Sequence, residues 1–372
     1  MFQVQLLNAL KCRVPLPKQD LATEGKTMKF LSIKKALGLA GALALGAHLI
    51  SKKKRRFDFI GKIALITGGS RGLGLSLAWN LLAQGSSVAL VARDKAELER
   101  AKSILLNSFP DAEIVIYATD ITKPTQLKNC IDDCKKHFDR IDLLVNNAGS
   151  IVVAPFAAME LEDFEAQMKL HLYAAINAIK FVVPYFQQRG TGRILNICSL
   201  GGKFAIPHMS SYDASKFALA GFAQGIQPEL AADNIIMTTA FPTVMRTGSP
   251  IQAVFKGDFR KEFKIFETLD NAPGLSMSAD KAAKLILKAV EAGKSEVVLS
   301  IPAKLRVVLG AVIPNVMNAI SKWILKFMPD DVSQTRRTGA DSTDRKSPTK
   351  EELMYNQWPH HDAKFNMGLK PN

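Results

Sequence analysis

Cysteine is scarce in this chain, and nothing gathers around it. The four residues, Cys12, Cys130, Cys134 and Cys198, do not form a disulfide framework in a chain of 372 residues. Cys130 and Cys134 are spaced to share a helix face, but no His or Cys cluster accompanies them. That argues against a zinc site and fits reduced thiols in a cytosol-facing domain. Acidic residues are also in short supply. Against 49 Lys and Arg stand 34 Asp and Glu, a formal charge of +15, which points to phosphate-bearing ligands, nucleic acid or an acidic membrane surface. Part of that excess is local, in the block Lys52 to Arg56, and the block abuts an apolar run, which fits membrane topology better than nucleic acid.

That apolar run, Ala36 to Ile50, is itself short. As a helix it would reach about 22 Å, less than a hydrocarbon core of about 30 Å. It spans only if Phe30 to Ile33 join it while Lys34 and Lys35 snorkel to the headgroups. A signal peptide competes, because small residues end the run. The basic block favours an uncleaved anchor over 30–56, behind a polar segment 1–29, with the main domain facing the cytoplasm.

What the sequence does have, from residue 57 to about 300, is alternation. Apolar runs such as "KIALITGG", "SSVALVAR", "EIVIYATD", "IDLLVNNAG", "GRILNICS", "IIMTTAFP" and "SEVVLS" are separated by segments with helical spacing. Nearly all-apolar strands alternating with helices predict an α/β domain, a doubly wound parallel sheet of about seven strands covered on both faces. Residues 301–329 are apolar with interspersed Lys and Arg and are broken by Pro314. Two readings stand: a helical extension packed on the core, or an amphipathic element lying on a membrane. The polar tail, 330–372, is expected to be disordered.

"TGGSRGLG", Thr67 to Gly74, sits between the first strand and the first helix, the context that makes a glycine motif informative. Gly68 permits the tight turn, Gly72 lets the backbone approach a pyrophosphate, and Gly74 allows close helix packing. The helix N-terminus then meets phosphates with free N–H groups. At the end of the second strand, where dinucleotide folds place a ribose-binding acid, stands Ala92, followed by Arg93. Arg71 in the glycine loop reaches the same region. Two guanidiniums favour a phosphorylated ribose, hence NADP(H). A shift of one residue in register would instead make Asp94 the ribose ligand.

Tyr212 and Lys216 stand four apart in "SSYDASKFALAGF", one turn of a helix, and Ser199 precedes Tyr212 by thirteen residues. With "NNAG" at 146–149, these motifs follow one another as they do in the short-chain dehydrogenase/reductases, which the chain resembles across about 60–300. The resemblance implies a Rossmann fold and a carbonyl–alcohol oxidoreductase, often dimeric or tetrameric. It makes Ser199, Tyr212 and Lys216 the catalytic set: Tyr212 the acid/base, Lys216 its tuner and a ribose ligand, Ser199 the holder of the substrate oxygen. Lys216 is expected to lower the pKa of the Tyr212 phenol. The cofactor would touch Gly68, Ser70, Arg71, Gly72, Leu73, Gly74, Arg93, Asp120, Ile121, Asn146, Ala148, Gly149, Pro242, Val244 and Thr247, as well as Tyr212 and Lys216.

Two departures stand out. The family's relay asparagine, thirteen residues before a proline, is replaced by His171, counted back from Pro184, and its imidazole could hold the relay water or join the relay. Thr243 stands where a glycine commonly follows Pro242. The expected substrate is a lipophilic carbonyl compound, such as a sterol, retinoid, keto-sphingoid or long-chain ketone. Its pocket would be shaped by 248–277, where Phe255, Phe259, Phe263 and Phe266 mix with Lys and Arg. No nucleic acid and no metal is expected. The rival reading is a cofactor-binding, membrane-tethered sensor or scaffold with little catalysis.

Overall fold

A computed structural model describes residues 56–342, apart from 248 and 272–275. The segment 1–29 and the proposed anchor over 30–56, apart from Arg56, lie outside the described residues. Seven parallel strands form one sheet: β1 (Ile63–Thr67), β2 (Ser87–Ala92), β3 (Ile114–Ala118), β4 (Leu143–Asn146), β5 (Gly192–Ile197), β6 (Ile235–Phe241) and β7 (Glu296–Val298). Their spatial order is 7-6-5-4-1-2-3, so the chain winds outward from β1 in one direction and returns through β4 in the other. Between β1 and β4 the winding reverses, and ligands of such sheets bind in the crevice beyond the strand ends at that reversal.

The alternation of the strands builds two cores. Ala64 and Ile66 of β1 point into one, with the helices Gly72–Leu82 (α1), Lys95–Ser108 (α2) and Ala279–Glu291. Leu65 points into the other, with Pro124–Phe138 (α3) and the helices that flank it. Local chemistry sets the helix starts. Asp94 caps α2 by accepting the Glu97 N–H at 3.0 Å, and Pro124 opens α3, where its missing N–H costs nothing.

The helical pattern expected at 161–189 is present with one interruption. Leu161–Met168 (α4) and Ala174–Arg189 (α5) are joined through a π turn, Lys169–Tyr173, centred on His171. Periodicity does not reveal such a turn, because a single extra residue leaves the apolar spacing nearly intact. The catalytic-motif helix is Ser210–Ala232 (α6).

Beyond β6 the reading needs correction in two places. The pocket-shaping segment contains a helix, Phe259–Asn271 (α7), and a short strand, Val254–Phe255. The tail expected to be disordered from 330 carries regular structure over 337–342. Arg337–Thr338 pairs antiparallel with Val254–Phe255, which pairs in parallel with Val152–Val153, and Gly339–Ser342 forms one helical turn. The composition of the tail hides this, because backbone hydrogen bonds to an existing strand need no apolar side chain. Between β7 and this strap lie Ile301–Val312 and Pro314–Leu325, bent by 116° at Pro314.

Candidate active site

The glycine loop is held by side chains that reach across from the β4 end. Gly68 and Gly72 have φ of +66° and +55°, a region that costs other residues dearly. A Cβ on Gly74 would stand 2.0 Å from the Gly68 carbonyl oxygen, so only glycine lets the helix start so close to the strand. The Asn147 side-chain amide donates to the Thr67 and Gly68 carbonyls, both at 3.0 Å, and the Thr67 hydroxyl accepts the Asn147 and Ala148 N–H groups. Asn147 had no assigned role in the sequence. Its place in "NNAG" is the available signal; the neighbouring Asn146 side chain donates to Asn196 at 2.9 Å. No side chain caps the first turn of α1 after Arg71. Its N–H groups face the crevice with the positive end of the helix dipole, which suits a pyrophosphate.

At the adenosine end, Ala92 closes β2 in register with Ala118, and the Asp94 carboxylate is engaged as the α2 cap. Sequence reasoning missed Glu97. Its carboxylate takes the Arg71 guanidinium at 2.6 Å and the Ser70 hydroxyl at 3.0 Å. The Asp-x-x-Glu spacing of a helix start was the available signal. Arg93 carries the second guanidinium, beside Asp120. Burial raises the Asp120 pKa, but hydrogen bonds from Thr122 and the charges of Arg93 and Lys123 outweigh it and leave the carboxylate below its ordinary range. Leu73 and Ile121 are buried beside the loop. From the other side, a Cβ on Gly72 would meet Thr247, so the segment Pro242–Thr247 closes over the glycine loop. Pro242 accepts the Leu200 N–H through its carbonyl, and Val244 likewise accepts that of Met277.

The reacting centre lies between the ends of β4 and β5. Tyr212 and Lys216 occupy one face of α6, both buried, with the ammonium 5.6 Å from the phenol ring centroid. Lys216 Nζ donates to the Ile197 carbonyl at 3.1 Å. Ser199, just past β5, hydrogen-bonds Tyr212 and also accepts the Gly201 N–H. The expected lowering of the phenol's pKa involves Lys216 together with the oxidised nicotinamide; the chain's own groups act the other way. Burial drives the Tyr212 pKa above its ordinary value despite the hydrogen bond to Ser199. The reason is the wall around it, where Val153, Met209, Ala253, Phe255 and Phe263 form an apolar cluster with the ring. Burial likewise lowers Lys216 to about 8.

His171 sits edge-on to Tyr212 with ring centroids 5.5 Å apart. Its Nε2 accepts the Ser150 N–H at 3.2 Å, and its Nδ1 lies 2.7 Å from the Ser215 hydroxyl, which donates onward to the Tyr212 carbonyl. With Nε2 accepting, the proton resides on Nδ1. Burial, reinforced by the Lys216 charge, holds the ring well below its usual pKa. The imidazole is therefore neutral and engaged at both nitrogens. It braces the loop after "NNAG" against α6, a different arrangement from a titrating relay. Gly149 makes room for it, since a Cβ there would come 3.0 Å from Nε2.

The family model of the short chain dehydrogenases matches residues 62–254. The chain belongs to that family. It is 33% identical over 233 residues to the oxidoreductase BOA17 of Botryotinia fuckeliana, an alignment covering 61% of this chain and 84% of that one. To a 3alpha-hydroxysteroid dehydrogenase of Mediterraneibacter gnavus it is 30% identical over 186 residues, covering 50% and 74%. Among solved structures, a short chain dehydrogenase/reductase from Burkholderia phymatum in complex with NAD superimposes with a TM-score of 0.63 at 21% identity, covering 70% of this chain and 96% of that one. A short chain dehydrogenase from Burkholderia cenocepacia in complex with NADP gives 0.58 at 25%, covering 71% and 99%. The protein is thus an oxidoreductase acting between alcohol and carbonyl, on a fold that binds nicotinamide cofactors.

Proposed function

We propose that this short-chain dehydrogenase uses NADP(H) to interconvert a carbonyl and a secondary alcohol on a lipophilic substrate, held at a membrane with its catalytic domain toward the cytoplasm. One observation carries the reading: a half-buried Ser199 and the buried Tyr212 and Lys216 converge between the glycine loop and an apolar wall supplied by 253–266. The nicotinamide, when bound, supplies or accepts the hydride. The chain does the rest. The Ser199 hydroxyl holds the substrate oxygen, and the Tyr212 phenol, kept protonated by burial, gives its proton to that oxygen as negative charge develops. Lys216 binds the cofactor ribose and keeps a positive charge near the phenol.

Arg71 and Arg93, with Ala92 in place of an acid, support a phosphorylated ribose. Glu97 moderates that field, because it neutralises Arg71. The apolar wall and the relative acting on a hydroxysteroid support a sterol, retinoid, keto-sphingoid or long-chain ketone as substrate. The run 36–50 and the basic block after it support the anchor.

The test is purified protein with NADPH or NADH and a panel of lipophilic ketones. Ketone-dependent oxidation of NADPH is expected, reduced by about 100- to 10,000-fold in Tyr212→Phe. Tight cofactor binding with no turnover on any ketone would return the reading to a sensor.

A further inference from the structure

The two helices after β7 carry their apolar residues on the wrong side for a soluble protein. In Ile301–Val312 the spacing i, i+4, i+7, i+11 falls on Ile301, Leu305, Val308 and Val312, and in the next helix and its final turn on Val316, Ile320, Trp323 and Phe327. Such a stripe ordinarily faces a core. Here all eight side chains are exposed, Ile301 by 80%, Trp323 by 61% and Phe327 by 67%, while the pair buries only Ala303 and Met317. Among the described residues nothing covers either stripe.

Charge identifies the occupant. Between Glu296 and Asp330 there is no acidic residue, and Lys304, Arg306, Lys322 and Lys326 flank the stripes. Cationic residues beside an exposed apolar stripe with a tryptophan match an anionic bilayer surface, where aromatic rings settle at the headgroup level and ammonium groups meet lipid phosphates. The pair is not a straight span. Among the described residues no single helix is long and apolar enough to cross a membrane, and these two are bent by 116°.

Position adds a reason. The Arg306 guanidinium lies over the Phe204 ring at 4.5 Å, and Lys203 is paired with Glu296 at 2.8 Å. Phe204 belongs to the loop between Ser199 and Tyr212, and its neighbour Lys203 holds that loop to Glu296 of β7, just ahead of the first helix. At its other end the pair runs into the strap, whose Ser333 carbonyl accepts the Gly257 N–H and whose Gly339 N–H meets the Ala253 carbonyl. The helices are therefore fastened to both walls of the proposed pocket.

We propose that the bent pair Ile301–Leu325 is a docking surface for anionic bilayers, which sets the substrate pocket against the lipid from which an apolar substrate enters. This is a contact separate from the anchor. Its purpose rests on the lipophilic-substrate reading, but its test needs no turnover.

In the full chain carrying Trp79→Phe and Trp358→Phe, Trp323 is the sole tryptophan. On phosphatidylserine-rich vesicles containing brominated lipid its fluorescence is expected to be quenched, and on phosphatidylcholine vesicles much less so. Lys322→Gln with Lys326→Gln should lower the docked-to-undocked ratio about fivefold per charge removed. Hydrogen exchange of the unsubstituted chain gives a second measure: amides over 301–328 slow on anionic vesicles alone. Trp323 unquenched on vesicle-bound protein overturns the proposal, whether the stripe is covered by residues 36–50 or by a second copy, which cross-linking would identify. Quenching without ketone reduction would leave the docking standing and remove the substrate reading.

Discussion

The chemistry of the site rests on side chains that burial has moved from their solution behaviour. Asp213, next to Tyr212, is the clearest case. Burial raises its carboxyl to about 7 against the hydrogen bond from the Ile206 N–H, and its second oxygen has no partner among the described residues. In the unfolded chain the same group releases its proton near about 3.9. Between those values the folded state holds more protons, so stability falls as pH rises through that window. Asp213→Asn keeps an acceptor for Ile206 and removes the buried charge. It is expected to raise the melting temperature most at about pH 8, less at about pH 5, and little at about pH 3. Lys216 titrates at about 8, so ketone reduction should decline as pH rises through that value, while the phenol stays protonated. For His171→Ala, a brace that loses both its bonds, turnover should fall far more than NADPH affinity. No kinetic limb between about pH 5 and pH 7 should vanish with it, because the neutral imidazole does not titrate there. Unchanged turnover would deny it the positioning role.

At the scale of elements, the sequence was most legible where a pattern and a glycine coincided. The β1–loop–α1 unit, the order of the motifs and the strand count could be read because an all-apolar strand has few other uses. His171 could be located by its spacing to Pro184, but not its tautomer, which depends on Ser150 and Ser215 from distant elements. The α7 region was legible as aromatic and not as structure. Its fastening is polar: Lys256, almost wholly buried, pairs with Glu160 at 2.7 Å and Asp163 at 2.6 Å, and the His208 ring hydrogen-bonds Glu262 at 2.5 Å. No periodicity encodes partners more than fifty residues apart. Lys256→Met leaves the buried Asp163 only the Glu160 N–H and the exposed Arg336 guanidinium at 3.5 Å. It should cost up to about 3–5 kcal/mol, measured by denaturant unfolding, with KM for the ketone rising more than that for NADPH. Equal effects on both would show that the pair merely supports the whole fold.

For the molecule as a whole, the strap at 331–342 makes a segment far along the chain part of the pocket. A Cβ on Gly257 would stand 2.4 Å from the Asp331 carbonyl oxygen, and one on Gly339 even closer to that of Pro250, so the two segments touch backbone to backbone. Deleting 331–342 is expected to speed amide exchange over 253–259 and raise KM for lipophilic ketones, with the NADPH dissociation constant unchanged. Unaltered exchange would mean that the loop stands without it.

The same strap orders events during synthesis. The residues expected to line the cofactor crevice have all been made once Thr247 is joined, although the core behind α1 still needs Ala279–Glu291, whereas the wall at Val254–Phe255 must wait for Arg337 and Thr338. Chains fold from the N-terminal side as they emerge. The edge that completes the substrate wall is therefore among the last of the described residues to be made, and a chain ending before Arg337 lacks it.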